Sequence, residues 1–80
     1  MKLEITVVPR AGILDPQGKA IAAALSRLGY GGVHDVRAGK LFRVEIDAAD
    51  PEAAKLAGRA MAETLLANPV IEDFEVEVVG

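Results

Sequence analysis

The amino-acid sequence predicts an α+β domain in which two helices cover one face of an antiparallel sheet. Three observations carry this prediction. Apolar and polar residues alternate with period two at the start, in the middle and at the end of the chain, as half-buried strands require. An Asp-Pro pair opens each of two helical stretches, Asp15-Pro16 and Asp50-Pro51. The elements then follow one another as β-α-β-β-α-β.

The first strand rests on Leu3, Ile5 and Val7, alternating with Lys2, Glu4 and Thr6. It stops at Pro9, which has no N–H for a ladder, and Gly12 loosens the backbone beyond. Asp15 reads as an N-cap, with Pro16 at the first helical position, where a missing N–H costs nothing. In the helix that follows, Ile21, Ala24, Leu25 and Leu28 share a face, while Lys19, Ser26 and Arg27 lie away from it. Gly29 is placed as the C′ residue, and Gly31-Gly32 extend the break.

Val33 to Asp47 reads as two strands around a tight turn at Gly39-Lys40. Phe42, Val44 and Ile46 alternate with Arg43, Glu45 and Asp47 in the second. The first, Val33 to Ala38, carries His34, Asp35 and Arg37 and is expected at a sheet edge. Asp50, Pro51 and Glu52 start the second helix, whose expected buried stripe is Ala53, Ala57, Ala60, Met61 and Leu65. Asn68-Pro69 ends it, because a residue before proline is pushed out of helical geometry. Phe74, Val76 and Val78 alternate with Glu75, Glu77 and Val79 in a last strand. The expected whole is one domain over residues 1–80, a ferredoxin-like sandwich with two helices on one face of a four-stranded antiparallel sheet. Its other face would carry Lys2, Glu4, Thr6, Arg43, Glu45, Glu75 and Glu77.

Composition limits the chemistry. The chain has no cysteine, so disulfides, zinc-thiolate sites and thiol nucleophiles are excluded. Aromatics number only Tyr30, Phe42 and Phe74, which leaves an aliphatic core. A chain this small buries only roughly 60% of its unfolded surface, so self-association is the expected supplement. The expected mode is strand pairing at two edges, the polar Val33–Ala38 strand and the last strand. A net charge of −3 and the absence of outward aromatics argue against nucleic acid. No apolar run reaches the roughly 20 residues of a membrane span, and the N-terminus does not read as a targeting signal, so a cytoplasmic protein is expected.

No catalytic constellation emerges. Ser26 is the only serine and sits on an exposed helical position; His34 and Asp35 are adjacent on a strand and point to opposite faces. Carboxylates alone remain as metal ligands, and Glu75 with Glu77 read as a solvated face, so no metal and no cofactor are expected. The Arg10-Ala11-Gly12 loop before a helix suggests an anion cradle, although Asp15 at the cap would repel an anion. That loop motivates one alternative, a small-ligand regulatory module. A remoter one, an acyl-phosphate hydrolase using Arg10 and Asn68, suffers because Asn68 precedes a proline at a helix end. An interaction module follows by elimination.

Three stretches read together add a family resemblance. They are Asp15-Pro16-Gln17-Gly18, Asp35-Val36-Arg37-Ala38-Gly39-Lys40, and Leu66 to Phe74 with its Asn68-Pro69-Val70-Ile71-Glu72 centre. In this order the chain resembles PurS, the small subunit of phosphoribosylformylglycinamidine synthase, over essentially its whole length. Arg10 stands where a lysine is expected and Phe74 where a tyrosine is common; both keep charge or ring. The resemblance implies a noncatalytic homo-oligomeric subunit, dimer or tetramer, that joins a synthetase and a glutaminase subunit. Together they convert formylglycinamide ribonucleotide, ATP and glutamine to the amidine, ADP, phosphate and glutamate, and ammonia transfer between the two is a further implied role.

Partner-binding residues follow as expectations. Arg37, Gly39 and Lys40 would form a projecting hairpin tip, with Arg37 and Lys40 open to a partner's carboxylates; equally, Gly39 would supply a positive φ and Lys40 would be solvated. Asp15 and Gly18 read as structural, while Gln17 is free to reach a partner. Asn68 ends a helix and is also placed to hydrogen-bond across an interface.

Overall fold

A computed structural model describes all 80 residues. The elements are β1 (Lys2–Pro9), α1 (Pro16–Arg27), β2 (Lys40–Glu45), α2 (Pro51–Met61) with a π-helical continuation over Ala62–Leu66, and β3 (Glu72–Val78). The sheet is antiparallel and three-stranded, in the order β2-β1-β3. β1 is central because its alternation gives Leu3, Ile5 and Val7 to one face, and all three are completely buried. The registers place Val44 and Phe42 opposite Leu3 and Ile5 on one side, and Val78, Val76 and Phe74 opposite Leu3, Ile5 and Val7 on the other. Directly opposite residues share a face, so all eight form one apolar surface.

The sequence expectation is corrected in four places. The sheet has three strands rather than four, since Val33–Ala38 forms no strand. Gly39-Lys40 is therefore no hairpin turn: β1 and β2 pair directly, and the excursion between them holds α1 and an extended return segment. Second, only one helix lies on the sheet. α2 packs over β3 and β1, whereas α1 has no substantial contact with the sheet or with α2. Third, the buried stripe of α2 is Ala54, Gly58 and Ala62, with Ala53 and Ala60 exposed and Leu65 82% exposed. The π turn, closed by the Ala67 N–H on the Ala62 carbonyl at 2.9 Å, rotates Leu65 outward just before Pro69. Fourth, the free sheet edges are β2 and β3, so the last strand is an edge as expected and the Val33–Ala38 segment is not.

The small α2 residues have a physical reason. A Cβ on Gly58 would stand 2.7 Å from Val76 Cγ1 and 3.0 Å from Leu3 Cδ1, so the helix reaches the sheet only without one. The helix starts follow the sequence expectation: the Asp50 carboxylate accepts from the Ala53 N–H at 2.8 Å and that of Asp15 from the Gly18 N–H at 3.0 Å. α1 ends as expected at Gly29 (φ 100°), whose N–H reaches the Ser26 carbonyl while that of Tyr30 reaches Leu25. This paired closure satisfies the last helical carbonyls.

With α1 off the sheet, the molecule is long and flat, 50 × 26 × 14 Å. Its radius of gyration is 15.6 Å, against about 12 Å for a compact chain of this length. The arm is nonetheless braced. Ala38 donates its N–H to the Asp15 carboxylate at 2.7 Å, and Gly18 lies directly against the Val36 carbonyl. Gly18→Ala is expected to cost about 1–3 kcal/mol in chemical unfolding, because a methyl there must displace the return segment. Gly31→Ala, in open space, should fall within about 0.5 kcal/mol of the parent.

Candidate functional site

The end of the sheet where β1 leaves and β2 enters collects most of the sequence-predicted partner residues. Lys40 opens β2 opposite Val7 and is exposed. Gly39 before it is pressed against β1: a Cβ would lie 2.5 Å from the Val7 carbonyl oxygen and 2.8 Å from Val8 Cγ1. Its glycine serves close approach rather than a positive φ, which only Gly12 and Gly29 adopt. Arg37 donates to the Pro9 carbonyl at 3.3 Å and lies 3.7 Å from Asp35. Its guanidinium is thus steered along the end of β1, half exposed.

Arg10 occupies the neighbouring position and is already engaged. Its Nη2 donates to the Pro69 carbonyl, and its Nε lies 3.3 Å from the Asp73 carboxylate. Asn68 organises the turn that Arg10 grips. Its side-chain oxygen accepts from the Val70 N–H at 3.1 Å, its own N–H donates to Glu72 Oε1 at 2.7 Å, and its carbonyl accepts from Ile71 and Glu72. The remaining face of the Asn68 amide is exposed. Gln17 sits in the first turn of α1, two residues past Asp15, and is exposed. Arg37, Gly39, Lys40 and Asn68 therefore surround one end of the sheet, with Gln17 at the base of the projecting helix above it.

Asp15 ties these parts together. Its carboxylate is held below the ordinary value by the Gly18 N–H first and then by that of Ala38; desolvation opposes them, and the Gln17 N–H adds the smallest lowering effect. Sequence reading found the cap but not the Ala38 bond, which links residues far apart in the chain. It also missed the surface beside the cations: Leu14 is 68% and Val70 76% exposed, with Ile13 and Ile71 also open. A helix stripe or a turn gives no sign in sequence that its apolar residues will remain uncovered.

The chemistry on offer is that of docking. Three cations, Arg10, Arg37 and Lys40, border exposed apolar side chains, which is the makeup of a protein-binding surface with a charged rim. On the far face of the sheet Arg43 meets Glu4 at 3.2 Å, and no three acidic or imidazole groups converge to hold a metal ion. No helix is long and apolar enough to cross a membrane.

Fold and surface together define a small, elongated α+β chain built for contact with other chains. Comparison with known proteins makes this particular. The PurS family, Phosphoribosylformylglycinamidine (FGAM) synthase, matches residues 2–80. The phosphoribosylformylglycinamidine synthase subunit PurS of Mycobacterium leprae is 54% identical over 74 residues, covering 90% of this chain and 87% of its own. The Bacillus subtilis PurS structure superposes with a TM-score of 0.82 at 40% identity, over 99% of this chain and 98% of that one. A chain in the structure of PurLQS from Thermotoga maritima superposes at 0.86 and 33% identity, over 98% of this chain and 95% of its own. The chain belongs to the PurS family.

Acid should loosen the base of the arm. Because the folded Asp15 value is lowered, its stabilisation is fully present above the unfolded carboxylate value near 3.9 and disappears as pH falls through the lowered one. Amide shifts of Gly18 and Ala38 should move together only in that acidic window, and Asp15→Asn should abolish the transition; movement near neutrality would contradict this assignment.

Proposed function

We propose that this chain is the noncatalytic small subunit of a phosphoribosylformylglycinamidine synthase, holding a synthetase subunit and a glutaminase subunit together in de novo purine synthesis. It works in the cytoplasm as a homo-oligomer, and passage of ammonia between its companions is the step its placement would assist. All 80 residues act as one unit. The observation that carries this reading is the near-complete superposition on a chain of PurLQS. The surface supports it: apolar residues are left open at the end of the sheet where Arg10, Arg37 and Lys40 gather.

The contact residues proposed for the companions are Arg37, Lys40, Gln17 and Asn68, with Gly39 setting the position of Lys40. Arg37 and Lys40 would meet carboxylates; Gln17 and Asn68 would supply hydrogen bonds at the margin. The ferredoxin-like plan stands behind this arrangement, with one helix off the sheet in the arm and the Val33–Ala38 segment in place of a fourth strand. The alternative of a small-ligand module gains no support from its loop, because Arg10 is paired with Asp73 and Pro69, and Asp15 fills the helix cap.

Affinity purification with glutamine and ADP present should recover a synthetase and a glutaminase; recovery of neither would contradict the proposed role. Within that experiment Lys40→Glu combined with Arg37→Glu should lower recovery of the synthetase about tenfold while circular dichroism is unchanged. Full recovery with the fold intact would remove these two residues from the interface.

A further inference from the structure

β3 is paired on one side only. The Val79 N–H reaches the Lys2 carbonyl at 2.9 Å and the Arg10 N–H the Ile71 carbonyl at 2.9 Å, at either end of one unbroken register with β1. Antiparallel strands bond at every second pair, so the backbone groups of Asp73, Glu75 and Glu77 go to β1 and those of Phe74, Val76 and Val78 turn outward. β3 runs for 7 residues with no proline and no bulge. Proteins blunt a free edge with such devices or cover it, and no strand pairs with β3 on its outer side.

Opposite charges border this edge. Ala54, Gly58 and Ala62 seat α2 on the sheet, and Lys55 and Arg59, one helical turn apart, stand on its flank above β3. On the sheet face away from α2, Glu75 and Glu77 line the same groove. All four side chains are exposed, and none belongs to the ion pairs of the chain, which are Arg10–Asp73, Arg37–Asp35 and Arg43–Glu4. Successive residues of a strand face opposite ways. A strand laid along β3 therefore sends alternate side chains toward Lys55 and Arg59 and the others toward Glu75 and Glu77.

We propose that an extended segment of a companion subunit, with acidic and basic residues in alternation, adds to β3 as a fourth strand. Its acidic side chains meet Lys55 and Arg59, its basic ones meet Glu75 and Glu77, and its backbone pairs with Phe74, Val76 and Val78. This rests on the reading of the chain as a subunit that holds companions together, and adds a contact along the edge of the sheet to those at its end. A second copy is the poorer occupant. With β3 against β3, Asp73, Glu75 and Glu77 of one chain stand beside the same three of the other, and like charges across strands are destabilising.

The probe is a capped peptide, Lys-Glu-Lys-Glu-Lys-Glu-Lys. Added to the full chain, it should slow hydrogen exchange of the Phe74, Val76 and Val78 amides about tenfold or more and leave those of Glu75 and Glu77 unchanged. The same residues in blocks, Lys-Lys-Lys-Lys-Glu-Glu-Glu, should bind at least about tenfold more weakly. Lys55→Glu with Arg59→Glu should keep its circular dichroism and bind the alternating peptide about tenfold more weakly. Adding Glu75→Lys and Glu77→Lys should restore binding, because the peptide slipped by one residue presents the reversed pattern. In affinity purification, Lys55→Glu with Arg59→Glu should lower recovery of one of the two companions about tenfold. Equal binding of the two peptides, no rescue by the combined reversal, or full recovery of both companions would overturn the strand addition and leave the subunit role standing. Protection of the Phe74, Val76 and Val78 amides in the parent protein alone would give the edge to a second copy and overturn it too. A parent chain that recovers neither companion would remove the subunit role itself, and this occupant with it.

Discussion

The close seat of α2 on the sheet is the contact from which the rest of the molecule follows. Ala54, Gly58 and Ala62 present almost no side chain, which lets the helix axis approach Leu3 and Val76. This burial covers Leu3, Ile5 and Val7 completely, and these are the largest fully buried side chains in the chain. Tight seating also limits breadth. A helix that has settled over β1 and β3 has nothing left for β2, and a core of this size cannot offset the ordering of eighty residues by a wide margin.

The excursion between β1 and β2 shows the same economy of contacts. Asp15 satisfies an orphan N–H at the start of α1 and, with its second oxygen, the Ala38 N–H of the returning chain. One carboxylate thus sets both where the helix begins and where the chain turns back toward the sheet. Gly18 and Gly39 complete the bracing at places where a methyl group would strike a backbone carbonyl. The arm is held in position by polar and steric contacts near its base, while its apolar stripe is left for something outside the chain.

Legibility in the sequence followed the range of the interactions. The three observed strands and both helix starts were readable because alternation, Asp-Pro caps and a C′ glycine are local signals. The fourth strand was not, because Val33–Ala38 has strand-like residues but its N–H at Ala38 goes to Asp15 rather than to a neighbour strand. Periodicity reported that α1 has an apolar face and was silent on what would cover it. For α2 the face was read about one residue off, since Gly58 counts as apolar lining only once the approach distance is known. Arg37, Gly39, Lys40 and Asn68, the residues proposed for partner contact, belong on local signals to a hairpin and a helix end; the structure places them around one end of the sheet, a relation that only tertiary pairing creates.

Membership of the PurS family and an unfinished apolar surface point the same way: the chain contributes shape and contact, and its structure is complete only in company. The most direct measurement is hydrogen exchange of the α1 amides as the purified chain is diluted from micromolar concentration. The α1 amides should lose protection as the oligomer dissociates, while those of β1 and α2 keep theirs. Equal protection of α1, β1 and α2 at every concentration would mean that the single chain is already complete, and would contradict this account.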